Sequence, residues 1–142
     1  MFTYEQTTGN FRAPNNSLFG KGYSGNGDGK NNPAWEAIKL HGPLPTGLYT
    51  AVKMIEHDPH LGWYAIHLEP DASTRIKIIS YGRDPDSFYW HGDDIDHPGE
   101  ASDGCLVSMR SMRLDFWGQE DHVIQCIPGL PISPPTSYPR SL

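Results

Sequence analysis

The stretch Ser87-Phe88-Tyr89-Trp90-His91-Gly92-Asp93-Asp94-Ile95-Asp96-His97-Pro98-Gly99-Glu100-Ala101-Ser102-Asp103-Gly104-Cys105-Leu106-Val107 puts a histidine at the end of one apolar run and a cysteine at the start of another. Each reactive residue therefore sits where an expected strand meets a loop, a place where sites are commonly built. A cysteine near its free pKa of about 8.5 is mostly protonated at neutral pH, and an imidazole partner turns it into a working nucleophile. Gly104 before Cys105 permits a tight turn and close approach of a substrate. The backbone N–H groups of Asp103, Gly104 and Cys105 are expected to be free to stabilise an oxyanion. Ser102 lies outside any Gly-x-Ser-x-Gly elbow, so its hydroxyl is expected to hold the turn. Asp103 beside the thiol would raise the thiol pKa, so its side chain is expected to point elsewhere.

Outward from this stretch, the chain reads as mostly β. Alternating residues 47–56 and 62–69 are expected strands joined by the turn His57-Asp58-Pro59-His60. Residues 75–81 and 122–127 are further expected strands, the second closing the sheet. Residues 1–12 read as a hairpin with Thr7-Thr8-Gly9-Asn10 at its turn. Residues 13–33 read as a long Gly- and Asn-rich loop. Short helices are expected over 34–41, with Pro33 in the first turn and Gly42-Pro43 ending it, and near Met109–Trp117. With 142 residues the chain fits one domain, here taken as 1–128, followed by a Pro-rich tail over 129–142.

Composition excludes some partners. The net charge of −6 argues against nucleic acid. No long apolar stretch supports membrane insertion. Met1-Phe2-Thr3-Tyr4-Glu5 lacks a basic start and an apolar core, so a signal peptide is not expected. Two cysteines make no disulfide framework. Cys126, in the alternating run His122-Val123-Ile124-Gln125-Cys126-Ile127, reads as a packed strand thiol. Gly20-Lys21-Gly22-Tyr23-Ser24-Gly25 matches G-x-G-x-x-G, but Asn26 to Pro33 will not start a helix, so no dinucleotide cofactor is expected. That loop is instead expected to line the cleft, with Tyr23 and Ser24 touching substrate. His91, Asp93, Asp94, Asp96, His97 and Cys105 carry metal-type donors, yet neither H-E-x-x-H nor C-x-x-C is present. A metal-dependent peptidase and a non-catalytic binding module both stay open as rivals.

His-Gly, a loop, then Ser-x-Gly-Cys before an apolar residue resembles the L,D-transpeptidase (YkuD-type) signature. The finer text, with Phe2-Thr3-Tyr4-Glu5-Gln6-Thr7-Thr8-Gly9, Gly22-Tyr23-Ser24-Gly25, Lys30-Asn31-Asn32-Pro33 and Gly42-Pro43-Leu44-Pro45-Thr46-Gly47-Leu48-Tyr49, is similar to the L,D-transpeptidase-like effectors of type VI secretion. The resemblance runs from about residue 2 to about residue 128. It implies a β-rich, sandwich-like fold with long loops and a cysteine enzyme acting on peptidoglycan tetrapeptide stems by L,D-carboxypeptidase and D-amino acid exchange chemistry. It implies Cys105 as nucleophile, His91 as base and the Gly92 carbonyl as orienter, with no cofactor. It also implies synthesis in the cytoplasm, delivery by a secretion machine to the periplasm of a target bacterium, and a periplasmic immunity protein. Two positions depart from the pattern: Asp103 stands where many relatives have His, and Val107 where many have Arg. Arg110 and Arg113 are the expected substitutes for carboxylate recognition.

Overall fold

The computed structural model describes residues 1–129. The Pro-rich segment from residue 130 onward lies outside the described residues. The longest elements are β5 (Gly47–Asp58) and β6 (Gly62–Pro70), an antiparallel pair. Their turn forms because the Asp58 carboxylate accepts the N–H groups of His60 and Leu61, at 2.8 and 2.9 Å. On one side of β5 lie β9 (Val123–Ile127), then β1 (Phe2–Glu5), β2 (Asn10–Arg12) and β3 (Leu18–Lys21). Beyond β6 lie β7 (Tyr89–His91), β8 (Leu106–Val107) and β4 (Tyr23–Ser24). The mostly-β expectation holds, and the strands form one mixed, nine-stranded sheet.

That sheet folds over on itself. Its two outermost strands, β3 and β4, are consecutive in the chain and separated only by Gly22. Phe11 on β2 stacks on Trp90 of β7, with ring centroids 4.5 Å apart and planes within 8°, although the two strands are far apart in the sheet order. At the seam Gly22 donates to the Gly9 carbonyl at 2.8 Å, and a Cβ there would meet the Val107 carbonyl oxygen at 2.2 Å. Only glycine lets the chain cross so close to β8. The enclosed core holds Phe2, Tyr4, Phe11, Tyr49, Trp90 and Phe116, all buried. Burial of each such ring contributes about 1.5–3 kcal/mol. The edge-to-face packing of Phe2 on Phe116 at 4.9 Å adds shape specificity.

Four expectations are corrected. Residues 75–81 are not a strand but lie mostly in α1 (Ala72–Ser80). Asp71 caps this helix by accepting the Thr74 N–H at 2.9 Å, and Thr74 and Ile78, one turn apart, are buried. The cap and this spacing outweigh the β-branched composition, since Ile76 and Ile79 point to solvent. Residues 34–41 hold only a short 3-10 turn over Pro33–Trp35, because the Glu36 carbonyl is drawn to Arg83 and Leu40 takes a left-handed φ of 68°. The 13–33 loop contains β3 and β4, whose partners are β2 and the distant β8. Finally β9 sits mid-sheet, antiparallel to β5 and parallel to β1, rather than at an edge. The second helix, α2 (Arg110–Trp117), lies where expected. Among the described residues no helix is long and apolar enough to cross a membrane.

Candidate active site

β7 and β8 are parallel neighbours, with Trp90 opposite Leu106 and His91 opposite Val107. Alternation sends Trp90 and Leu106 into the core, so Tyr89, His91, Cys105 and Val107 belong to the other face. His91 is nevertheless buried. Its Nδ1 lies 2.8 Å from the Gly92 carbonyl oxygen. A carbonyl only accepts, so Nδ1 carries the proton and Nε2 keeps its lone pair. Burial lowers the imidazole pKa, and the Arg113 charge lowers it further, against the Gly92 carbonyl, which favours the cation. At neutral pH His91 is therefore a neutral base with its free nitrogen available.

Cys105 directly precedes β8 and is half-buried. Its Sγ accepts the Tyr89 N–H at 3.4 Å and lies 3.7 Å from the Ser87 carbonyl oxygen. Burial, reinforced by the Asp103 charge, pushes the thiol up to about 11, although the Tyr89 N–H and the Arg83 charge pull the other way. Among the described residues no hydrogen bond joins Sγ to His91, so the resting pair is a thiol and a neutral imidazole. The two groups face different depressions. Cys105 lines a cleft of about 410 Å³ with Lys39, Leu40, Arg83, Asp84 and Phe88. His91 borders one of about 500 Å³ with His60, Gly92, Asp93 and Ala101.

The turn before Cys105 is held by saturated hydrogen bonds. Ser102 Oγ donates to the Cys105 carbonyl at 2.6 Å and accepts from Gly25 and Gly104 N–H at 2.9 and 3.1 Å. The Gly104 N–H is thus occupied, which corrects its expected oxyanion role. The Asp103 N–H makes no turn or side-chain hydrogen bond among the described residues, whereas the pairing of Ser24 with Leu106 directs the Cys105 N–H towards the β4 side. Gly104 has φ +129°, and a Cβ there would meet Arg83 Nη2 at 2.1 Å. Asn26 Nδ2 donates to the Ser102 carbonyl at 2.8 Å and the Leu40 carbonyl at 2.7 Å, tying the cysteine turn to the opposite cleft wall.

The remaining sequence-picked residues are placed differently from one another. Tyr23 donates to Asp93 at 2.6 Å and accepts the Ala101 N–H at 2.9 Å, pinning the 93–101 loop. Burial and then the Asp93 carboxylate raise its phenol pKa, so it stays a donor. Ser24 is buried and turned away from solvent, donating to the Gly104 carbonyl and accepting the Leu44 N–H. Arg113 is also buried, with its guanidinium committed to the carbonyls of Trp63, Tyr64 and Ser108. Arg110 packs over the Tyr64 ring, and with Arg113 and Gly92 it borders a depression that Cys105 does not line. His97, exposed, lies 3.5 Å from Asp94. Cys126 is packed in the core, as its strand pattern implied.

Sequence reasoning missed Lys39 and Arg83. Arg83 is buried and donates to the carbonyls of Glu36, Gly42, Pro43 and Asp103, at 2.6 to 3.3 Å. It is a fastener between the 36–43 segment and the cysteine turn. Lys39 is exposed at the cleft mouth. Its only local signal was a cation in a poorly patterned segment.

A family model described as the Tlde1 domain matches residues 20–125, a span that includes His91, Cys105 and both walls of the cleft. The chain belongs to the Tlde1 domain family. Tlde1 domains are type VI secretion effector domains, which places this chain among secreted effectors. A comparison with curated proteins gives no match. In this Tlde1 domain the strand pair β7–β8 and the Ser102-to-Cys105 turn therefore lie inside the matched region, whereas β1 and β2 precede it.

Proposed function

We propose that this Tlde1 domain is a cysteine enzyme that cleaves and exchanges the terminal D-alanine of peptidoglycan tetrapeptide stems, in the periplasm of a target bacterium. The observation that carries this reading is the Gly92-oriented imidazole, with Nε2 unprotonated, on the strand beside a half-buried thiol. The resemblance to L,D-transpeptidases supplies the substrate class.

Cys105 Sγ swings from the Ser87 carbonyl by rotation about χ1, a fast side-chain motion. It attacks the carbonyl of the diamino acid as His91 Nε2 takes the thiol proton. The Asp103 N–H, which makes no turn or side-chain hydrogen bond among the described residues, donates to the oxyanion. Collapse breaks the C–N bond, His91 returns the proton to the leaving amine, and D-alanine departs from a thioester. Water then attacks to give a tripeptide stem, or the amine of another D-amino acid attacks to give an exchanged tetrapeptide. Removal of donor stems weakens the wall, which suits an effector, and an immunity protein that covers His91 and Cys105 would protect the producer. Among the described residues no three His, Cys, Asp or Glu side chains are grouped to hold a metal ion, which favours the thiol over the metal-peptidase reading.

The test is incubation with purified tetrapeptide muropeptides, with products followed by mass. Loss of one alanine, or its replacement when another D-amino acid is supplied, is expected from the wild-type chain and not from Cys105→Ala. Equal turnover by that variant would overturn the thiol mechanism, and an unchanged substrate with wild-type protein would overturn the activity.

A further inference from the structure

The cleft of Cys105 pairs opposite charges over an apolar surface. Leu40 and Phe88 supply the apolar part. Around it stand Lys39 on one wall and Asp84 and Asp103 elsewhere on the rim. The two cations of the cleft are not equivalent. Arg83 is buried and its guanidinium is spent on four backbone carbonyls. Lys39 is exposed and makes no ion pair among the described residues. The carboxylates have spare capacity too. The Asp84 contact is one oxygen taking the Asp86 N–H at 2.9 Å, and the Asp103 contact is one oxygen taking Asn26 at 3.2 Å.

A second observation marks this wall as built. Leu40, next to Lys39, has φ +68°, a left-handed conformation that a γ-branched residue adopts only at a cost. Asn26 holds it there through the Leu40 carbonyl at 2.7 Å, and the His41 ring nitrogen lies 2.8 Å from the Asn26 side-chain oxygen. Yet Leu40 remains 56% exposed, so the strain is not repaid by core packing. It presents Leu40 and Lys39 to the cleft.

We propose that this cleft recognises an amino-acid head group, an ammonium and a carboxylate on one carbon, with Lys39 binding the carboxylate and Asp84 and Asp103 facing the ammonium. This rests on the stem-peptide reading above. Two sources share the chemistry. One is the far end of a diamino-dicarboxylic third residue in the stem, whose methylenes would lie on Leu40 and Phe88. The other is a free D-amino acid entering or leaving in exchange.

Binding and turnover are both read. Calorimetry measures meso-diaminopimelate and D-alanine against wild type, Lys39→Ala and Lys39→Arg, with 1,5-diaminopentane as the ligand lacking carboxylates. Loss of one charge-assisted contact is expected to weaken binding about tenfold in Lys39→Ala, with Lys39→Arg near wild type and the diamine indifferent to the substitution. In kinetics, a stem source raises KM about tenfold for diaminopimelate stems and leaves lysine stems unchanged. A free amino-acid source raises KM for the exchanging D-amino acid alone. In both cases kcat holds. Binding and KM of Lys39→Ala equal to wild type for every substrate would overturn the proposal while Cys105-dependent turnover left the activity standing. Lys39-dependent binding with no turnover of any stem would do the reverse.

Discussion

The resting state described above makes a quantitative demand on Cys105. With the thiol pushed up to about 11, the thiolate fraction at pH 7 is about 1 in 10,000, against about 3% for a free cysteine near pKa 8.5. The less acidic thiolate is more nucleophilic, by roughly tenfold for this difference in pKa. The net expectation is alkylation by iodoacetamide about 30-fold slower than for a cysteine peptide at pH 7, rising about tenfold per pH unit until near pH 11. Peptide mass mapping assigns the label to Cys105, because Cys126 is 2% exposed and is expected to stay unreacted in the folded chain. Unfolding the chain should bring the rate to that of the peptide. A rate that is already level between pH 5 and 7, at or above the peptide value, would mean a preformed thiolate–imidazolium pair and would refute the reasoning. The sign for stability follows from the same shift. The folded thiol holds its proton more tightly than the unfolded one, so its contribution is complete below about pH 8.5 and is lost as pH rises towards 11.

Two further outcomes are expected. His91→Ala should abolish stem turnover, while His97→Ala, which removes only an exposed contact with Asp94, should retain it within about twofold; muropeptide mass assays of both variants check this, and the opposite pattern would reverse the assignment of the base. Gly104→Ala should destabilise the chain by about 2–5 kcal/mol, combining positive-φ strain with overpacking against Arg83, whereas Gly27→Ala, with φ +55° and nothing within 4 Å of its new Cβ, should cost about 1 kcal/mol. Urea unfolding midpoints of the two variants measure the difference, and equal midpoints would remove Arg83's close approach from the account.

What was legible in the sequence was local. β5 and β6 declare themselves by alternation and by an Asp-containing turn, and His91 and Cys105 by their places at the ends of two apolar runs. Where partners lie far away, local pattern fails. Tyr23 and Ser24 read as loop because their strand partners, Leu106 and Val107, are about eighty residues on. α1 was hidden by its three β-branched isoleucines, Ile76, Ile78 and Ile79, and its true signal was Asp71 three residues before Thr74. Ser24 and Arg113 carry the right chemistry for a substrate contact, but the fold spends both on backbone carbonyls. Lys39 and Arg83 reach the cleft only through tertiary structure, so no spacing rule finds them.

The same long-range pairing explains where Cys105 sits. The Ser102-to-Cys105 turn has no helix or long strand of its own to stiffen it; β8 spans only Leu106–Val107. Its order is supplied from the first thirty residues: Gly25 N–H on Ser102 Oγ, Ser24 Oγ on the Gly104 carbonyl, and Asn26 Nδ2 on the Ser102 carbonyl. Those residues reach the turn only because the chain passes through Gly22 from β3, at one end of the sheet, to β4, at the other. Closing a loop of this length costs chain entropy that no local contact offsets, so the turn is organised by closure of the whole sheet. The cysteine turn, the Arg83 fastener and the Leu40 wall are then assembled in one step with the seam. On the proposed reading the site is therefore competent only once β3 and β4 have met through Gly22 and the sheet has closed.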